Sequence, residues 1–519
     1  MPPEARPHII DRLLHGADRY RWWCFGLIGL LYAAGFNGQW RVGSDSAIYM
    51  SVGHSLAEGA GYTYNGIINR VIYPGLPWLL ATIWRATGTQ TDFGPTVAVW
   101  VLGLGALALT YRLFFLYADR PTAVVVTCLT CITRLFYRFS FEILTDMLFC
   151  VGVMGVLAAY EGLCRPDGPG HPTRYWKRGL NWLMLTAGLW VVVATRPTMW
   201  VFVSAVLAVS AWCLLVGNRR RTHAVIMLTT LLCVGAFLLI DPRWSAQPGA
   251  PILASVPQYE TWAVAQLSRP QSVVHGLFTQ HLPLLFEPHL PEAVFGLELG
   301  PGLNTLGGVA VLVLGVGLCW VRPLWGVWFT FMILAMLIVG PVVRYTLPLV
   351  PLIAFAWWRA VVYLTRRLPL RWSNHAAVVL LMLWCVPNLV RVVDFIVDQR
   401  QTPFLGSYKS GRYVSLVELA VQLNDVVGPD AVVVADRSHE LAYWAGRPVI
   451  HVGQVLGRGG APSGRVRSVL AAGRGVYIVA TGGDRAEAVA KAMCLQLGPK
   501  VLVATDQPCA ALYRASGRP

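Results

Sequence analysis

The sequence has little charge for its length. Only 13% of its 519 residues are Asp, Glu, Lys or Arg, whereas a soluble globular chain has about 25%. Hydrophobic residues make up 55%, and the mean hydropathy is +0.54. These values exclude the two or three soluble domains that the length alone would allow.

Sequence features of several other protein classes are missing as well. The C-terminal part has no G-x-G-x-x-G after its predicted strands and no Walker sequence, so nucleotide binding there has no support. No small-residue cleavage site follows the first apolar run, which is expected to remain as an anchor. Many of the eleven cysteines lie in apolar runs, where cysteine behaves as a small hydrophobic side chain. Arginine-rich cytoplasmic loops account for the net charge of +16, and we expect no nucleic-acid partner.

Long apolar runs are what the chain has in abundance. A membrane-spanning helix needs about twenty apolar residues, and many tryptophans and tyrosines suit two membrane–water interfaces. The sequence therefore predicts a polytopic α-helical protein, embedded in membrane lipids, with about eleven spans. The predicted spans are 21–38, 94–117, 121–139, 142–163, 180–195, 197–216, 223–240, 302–320, 323–341, 343–362 and 375–396.

Loop charge predicts the orientation of these spans. If the short apolar stretch 75–88 does not cross, the arginine clusters all fall on one side, which the positive-inside bias makes cytoplasmic. The stretch 75–88 is then a half-inserted or interfacial helix. The protein is expected in the cytoplasmic (inner) membrane, with its N-terminus on the cytoplasmic side. The other side receives the acidic residues Asp45, Glu58, Asp92, Glu142, Asp146, Asp241, Glu287 and Glu298.

Hydropathy falls near residue 400, which predicts two domains. Residues 1–399 form the transmembrane domain, with long outer loops at 39–93 and 242–301, and long loops often carry function. Residues 400–519 form a small extracytoplasmic α/β domain with a largely parallel sheet. Its predicted helices are 410–428, 437–445 and 484–496, and its strands are 431–435, 448–452, 475–480 and 499–504. Arginines in its Gly-rich connection indicate a solvated loop or a lipid head-group contact: Arg458, Arg465, Arg467 and Arg474.

The first outer loop contains the most informative motif. Ser44 or Asp45 can cap a helix over 46–58, which Gly59 and Gly61 end. Asp45 is thus either an N-cap or a functional carboxylate at the outer membrane face.

This loop resembles that of a known family. The segments 45–49 (DSAIY), 56–62 (LAEGAGY) and 73–77 (YPGLP) are similar to the first extracytoplasmic loop of GT-C glycosyltransferases. More narrowly, they resemble the bacterial branch related to protein O-mannosyltransferases and the lipid A aminoarabinose transferase. Four later segments, in family order, are similar too: 141–146 (FEILTD), 194–198 (ATRPT), 344–351 (RYTLPLVP) and 441–447 (LAYWAGR).

The resemblance implies an activity and roles for particular residues. Such enzymes move a sugar, with inversion, from a polyprenyl-phosphate carrier to an extracytoplasmic lipid, glycan or protein. Asp45 would be the catalytic base, and Glu142 with Asp146 the second acidic site. The leaving phosphate suits arginine, whose planar fork matches phosphate oxygens, so Arg344, Arg196 and Arg70, with Tyr345, are the predicted phosphate-binding residues. Membrane anchoring is the alternative role for each arginine.

Two departures from the family motifs narrow the range of expected acceptors. Many protein O-mannosyltransferases have Asp-Glu where this chain has Asp45–Ser46, which argues against protein mannosylation. The WWDYG signature of oligosaccharyltransferases is absent, which argues against transfer to asparagine.

The acidic pair leaves the cofactor open. Glu142 and Asp146 stand at i and i+4, which predicts one helix face, and like charges so placed repel unless a cation separates them. They either bind a divalent metal (Mg, Mn or Zn) or pair with an arginine such as Arg138; no other cofactor is expected. The outer-loop residues His275, His281, Glu287 and His289 fit no common zinc spacing, so that loop is predicted to be a mobile cover over the acceptor.

Two other functions remain open from the sequence. A lipid or solute transporter or flippase would also have charged residues and broken helices, although the chain has no visible internal repeat. A catalytically silent assembly partner is the third hypothesis, since Asp45–Ser46 departs from the common pattern.

Overall fold

The computed structural model describes two compact units. We call residues 1–38, 70–76 and 95–397 the span unit, and residues 39–69, 77–94 and 398–519 the loop–tail unit. The predicted helix 484–496, most of 410–428, Glu298 and the four tail arginines lie outside the described residues. The described residues are 9–64, 67–165, 174–217, 219–245, 261, 264–265, 268, 270–296, 300–401, 420, 423, 425, 427–428, 432–435, 438–447, 449–451, 476–480, 499–504 and 511–515.

The helices follow the apolar runs, and each of the predicted spans coincides with helical residues over most of its length. Their bounds are Ile9–Arg19, Arg21–Gly35, Phe93–Tyr117, Arg120–Ile132, Arg134–Phe139, Thr145–Cys164, Arg174–Thr195, Met199–Val216, Arg220–Ile240, Pro301–Val321, Pro323–Val339, Val350–Arg367 and Leu370–Gln401. Among the described residues, seven helices are long and apolar enough to cross a membrane: Phe93–Tyr117, Thr145–Cys164, Met199–Val216, Arg220–Ile240, Gly302–Val321, Val343–Arg367 and Trp372–Gln401.

Polar and proline residues set the breaks between these helices. The Asp119 carboxylate accepts the Thr122 amide at 2.8 Å and so caps helix Arg120–Ile132. The third predicted span is interrupted at Thr133, and the tenth begins as a 3₁₀ segment, Val343–Leu349, that contains Pro348.

Helices Thr145–Cys164 and Arg174–Thr195 pack closely because small residues face each other. A Cβ added to Gly188 would lie 2.9 Å from the Gly152 carbonyl oxygen, and one added to Gly152 would lie 3.1 Å from that of Gly188. Small residues let helix backbones approach within a membrane, where lipid tails provide no hydrophobic drive between helices. This contact holds the helix that begins beside Asp146 against the one that ends beside Arg196.

Part of the second long loop is helical rather than irregular. Pro270–Gly276, Leu282–Leu284 and Leu290–Phe295 are α-helical, with π turns between them, and Gly296 ends the run with a φ of +66°. The segment is anchored to the spans, since Arg134 contacts Glu292 at 3.0 Å.

The loop–tail unit joins the first outer loop to the tail. It contains helix Ser44–Ala57, the small antiparallel hairpin β1 (Thr63–Tyr64) and β2 (Ile67–Ile68), most of helix Gly75–Thr87, and helix Ser438–Ala445. The prediction that 75–88 is a helix matches Gly75–Thr87; its interfacial position stays a prediction. Hydropathy had placed the whole first loop in the transmembrane domain, whereas contacts place most of it with the tail.

The tail sheet is mixed: its four predicted strands run in one direction, as expected of a largely parallel sheet, and one further strand runs against them. Its strands are β3 (Val432–Ala435), β4 (Val449–His451), β5 (Val476–Ala480), β6 (Pro499–Ala504) and β7 (Ala511–Ala515), in the order β4-β3-β5-β7-β6. Strand β3 pairs in parallel with β4 and β5, but β7 is antiparallel to β5 and β6. Strand β7 was missed because ALYRA is short and interrupted by arginine.

Candidate active site

Asp45 lies in the first turn of helix Ser44–Ala57, but it is not the N-cap. Gly43 occupies the cap position, and the Ser46 hydroxyl satisfies it by accepting the Gly43 amide at 2.8 Å and donating to the Gly43 carbonyl at 2.7 Å. The Trp40 indole N–H also donates to Ser46 Oγ at 3.1 Å. The prediction that Ser44 or Asp45 caps the helix was therefore wrong. The Asp45 carboxylate is half-buried and does not cap the helix.

The other end of this helix is held by His54. Its ring stacks on Trp84, with centroids 3.8 Å apart, and its nitrogens lie 3.0 Å from Gln90 Oε1 and 3.2 Å from Tyr443 Oη. The Tyr443 hydroxyl donates to Asp92 Oδ1 at 3.1 Å. Burial lowers the pKa of His54 and raises that of Asp92, because desolvation disfavours the charged form of each. His54 had no assigned role in the sequence.

In the span unit, Asp146 and Arg196 form a buried ion pair. Asp146 lies in the first turn of helix Thr145–Cys164, and Arg196 follows the last residue of helix Arg174–Thr195. The Arg196 guanidinium also lies over the Tyr345 ring, 4.7 Å from its centroid, and Arg344 lies 6.0 Å from the same centroid. Three of the predicted phosphate-binding residues and one residue of the second acidic site are thus brought together.

Glu142 does not share a helix face with Asp146. Helix Thr145–Cys164 begins only after it, and residues 140–144 form a turn in which the Leu144 amide donates to the Glu142 carbonyl at 2.7 Å. The prediction of one helix face was therefore wrong, because i,i+4 spacing has that meaning only inside a helix. Glu142 Oε1 instead accepts from Arg138 Nε at 2.7 Å, which is the arginine pairing that the sequence left open.

These pairings leave a poor fit for a divalent metal between the two carboxylates. Glu142 faces Arg138 and Asp146 faces Arg196, so each carboxylate already has a cation against it. Where the chain is described, no three His, Cys, Asp or Glu side chains are grouped so as to hold a metal ion. Metal binding by these carboxylates stays one of the two alternatives considered from the sequence, and it is to be tested by chelation.

The second-loop histidines differ in their surroundings. The His281 Nδ1–H donates to the Leu337 carbonyl at 2.6 Å, whereas burial lowers the pKa of the half-buried His289. The side chain of Glu287 lies outside the described residues. The predicted role of this loop as a mobile cover stays a prediction.

A further arginine cluster was missed by the sequence analysis. Arg243, 1% exposed, pairs through Nη2 and Nε with both carboxylate oxygens of Asp241, and it lies 3.6 Å from the Tyr73 ring centroid. The predicted phosphate residue Arg70 donates to the neighbouring Ser245 carbonyl at 3.1 Å. The available signal was an arginine beside Asp241 on the predicted outer side, against the prevailing charge bias.

Solved structures resemble this chain, although no family model and no curated protein matches its sequence. ArnT from Cupriavidus metallidurans in the apo state aligns with a TM-score of 0.58 and 14% identity, over 97% of this chain and 100% of that one. The same protein bound to undecaprenyl phosphate aligns with a TM-score of 0.54 and 13% identity, again over 97% of this chain and 100% of that one. The oligosaccharyltransferase of Archaeoglobus fulgidus, tethered to an acceptor peptide, aligns with a TM-score of 0.59 and 13% identity. The alignment covers 90% of this chain and 70% of that one. The resemblance inferred from the motifs is thereby confirmed at the level of fold: this chain is a polytopic helical membrane protein with the GT-C fold.

Proposed function

We propose that this protein is a membrane glycosyltransferase that moves a sugar from a polyprenyl-phosphate carrier to an extracytoplasmic acceptor. The GT-C fold supports the proposal, because one similar structure binds undecaprenyl phosphate and another carries an acceptor peptide. The observation that carries it furthest is at Asp45. Ser46 bonds the N-cap residue Gly43, so helix capping does not account for this carboxylate.

The reaction requires a base at the acceptor. The acceptor hydroxyl oxygen forms a bond to the anomeric carbon while the bond from that carbon to the phosphate oxygen breaks. The hydroxyl proton passes to Asp45, and the bonding electron pair leaves with the phosphate. Attack opposite the leaving phosphate inverts the anomeric centre.

The leaving phosphate requires positive charge. Arg344, Arg196 and Arg70, with the Tyr345 hydroxyl, supply it in this proposal, since guanidinium groups bind phosphate oxygens through paired N–H donors. Arg196 is already paired with Asp146, so it contributes as part of that ion pair and orients Tyr345 beneath it. The acceptor is a lipid, a glycan or a protein, and the membrane lipids surround the spans.

The orientation in the cytoplasmic (inner) membrane belongs to the same proposal. Helix Ser44–Ala57 packs against helix Ser438–Ala445 in the loop–tail unit, so the first loop and the tail share one side. With the N-terminus cytoplasmic, that side is extracytoplasmic. Reporter fusions at residue 60 and at the C-terminus should both report an extracytoplasmic position.

The central experiment compares Asp45→Asn with Glu58→Gln in purified protein. Glu58 is an exposed carboxylate at the C-terminal end of the same helix, which makes it a matched control. With a panel of radiolabelled undecaprenyl-phosphate sugars and a membrane-lipid extract as acceptor, Asp45→Asn should lower transfer by at least about 100-fold. Glu58→Gln should keep the wild-type rate. Full transfer by Asp45→Asn would remove the proposed base, and saturable solute uptake without any sugar donor would favour a transporter.

A further inference from the structure

The tail residue Tyr443 contacts side chains at both ends of helix Ser44–Ala57. Its ring packs edge-on against Trp40, with centroids 4.9 Å apart, and the Trp40 indole bonds Ser46, next to Asp45. Its hydroxyl reaches His54 near the other end. Ser46 and His54 are eight residues apart, about 12 Å along a helix axis.

The hydroxyl joins two side chains from different segments. It donates its one proton to Asp92 Oδ1 at 3.1 Å, and its oxygen lies 3.2 Å from His54 Nε2. Trp84 covers one face of the His54 ring, and Gln90 engages the second ring nitrogen. The imidazole is therefore fixed in position and orientation, and the helix that carries it is fixed with it.

We propose that the Tyr443 hydroxyl is a positioning group that, by joining His54 to Asp92, fixes the orientation of the helix carrying Asp45. The inference rests on the proposed function, in which Asp45 is the base. Two attachments far apart along one helix restrain its rotation and tilt, whereas either alone leaves the helix free to pivot. A base displaced by an ångström loses much of its rate advantage, because proton transfer needs hydrogen-bond distance. The tail thus acts on transfer without touching the reacting atoms.

The test variant is Tyr443→Phe, which keeps the ring against Trp40 and removes only the hydroxyl. Its matched control is Tyr64→Phe. That hydroxyl also bonds the tail helix, at 2.8 Å from His439 Nδ1, but has no part in the His54 contact. Both variants lose one tyrosine hydroxyl from the same loop–tail unit.

Amide hydrogen exchange measures the positioning directly. In full-length protein in detergent, Tyr443→Phe should raise exchange across residues 44–57 by about tenfold, and Tyr64→Phe should leave it at the wild-type level. Unchanged exchange in Tyr443→Phe would overturn the inference. Equal increases in both variants would also overturn it, because they would indicate general docking of the tail.

Kinetics then separate positioning from binding. With an undecaprenyl-phosphate sugar, Tyr443→Phe should lower kcat about tenfold and leave the donor KM unchanged. In an Asp45→Asn background it should lower the residual rate no further, because it acts through Asp45; a further loss would contradict the inference. If Asp45→Asn itself keeps full transfer, the base assignment fails, and hydrogen exchange still decides whether Tyr443 holds the helix.

Discussion

Arg196 donates to the carboxylate of Asp146, fifty positions earlier in the chain, and both side chains are almost completely buried. The pair joins the start of one helix to the end of another, whose middles meet at Gly152 and Gly188. The Arg196 guanidinium faces the Tyr345 ring as well as the Asp146 carboxylate. Removing either partner strands a charge where water cannot reach it.

Asp146→Asn should therefore lower the free energy of unfolding by about 3 kcal/mol, because it leaves Arg196 as an uncompensated buried charge. The midpoint of thermal unfolding in detergent measures the loss. Asp11→Asn is the control, since Asp11 pairs with Arg366 at 3.3 Å but both side chains are more than half exposed. That variant should lose less than about 1 kcal/mol. Equal losses in the two variants would contradict a special role for burial.

Gly188→Ala should destabilise the protein, because the added Cβ would lie 2.9 Å from the Gly152 carbonyl oxygen. Gly105→Ala is the matched control: its added Cβ meets nothing within 4 Å, and alanine favours helix by about 1 kcal/mol. Thermal unfolding of the two variants should shift in opposite directions. A stable Gly188→Ala variant would show that the two helices can separate without cost.

The loop–tail unit should lose stability as the pH falls below about 6.5, the ordinary pKa of histidine. Burial lowers the pKa of His54, so the unfolded chain binds that proton more readily than the folded one. The contribution is complete above 6.5 and is lost as the pH falls through the lowered folded value. Burial raises the pKa of Asp92, which acts in the opposite sense: its contribution is present at low pH and is lost as the pH rises through the raised value.

Variants separate these two titrations. Thermal unfolding of wild type and His54→Gln should diverge between pH 7 and pH 5, with the wild type losing more. Asp92→Asn should keep the His54 dependence. Parallel curves for wild type and His54→Gln would show that His54 does not titrate differently on folding.

Chelation should leave the transfer rate unchanged, because Glu142 and Asp146 each already face an arginine. The measurement is transfer from an undecaprenyl-phosphate sugar before and after dialysis against EDTA. A loss that Mg²⁺, Mn²⁺ or Zn²⁺ restores would instead support the metal site considered from the sequence.

The sequence predicted those parts of the fold that depend on local composition. Span length follows from bilayer thickness, so runs such as 199–216 can be read without knowing their neighbours. Four strands of the tail could also be predicted locally, because short β-branched runs such as AVVVA are typical of buried strands. Strand β7 could not, so the one reversed strand and its two antiparallel pairings were missed.

The candidate site was less accessible because its geometry depends on where helices begin and on distant contacts. Capping rules placed the helix start one or two residues late, so Asp45 looked like a cap that Ser46 in fact replaces. The i,i+4 rule failed at Glu142 for the same reason: the helix that contains Asp146 begins at Thr145, three residues after Glu142. The contact of His54 with Tyr443 joins residues 389 positions apart, which no local pattern encodes.

The dependence of the first loop on the tail has a consequence for biosynthesis. Helix Ser44–Ala57 leaves the ribosome early, whereas the helix that packs on it, Ser438–Ala445, is made only after the last apolar helix. Long-range contacts of this kind form late in folding. A nascent chain therefore makes the apolar helices up to Leu370–Gln401 before helix Ser44–Ala57 can reach its final packing, which waits until the tail helix Ser438–Ala445 has been made.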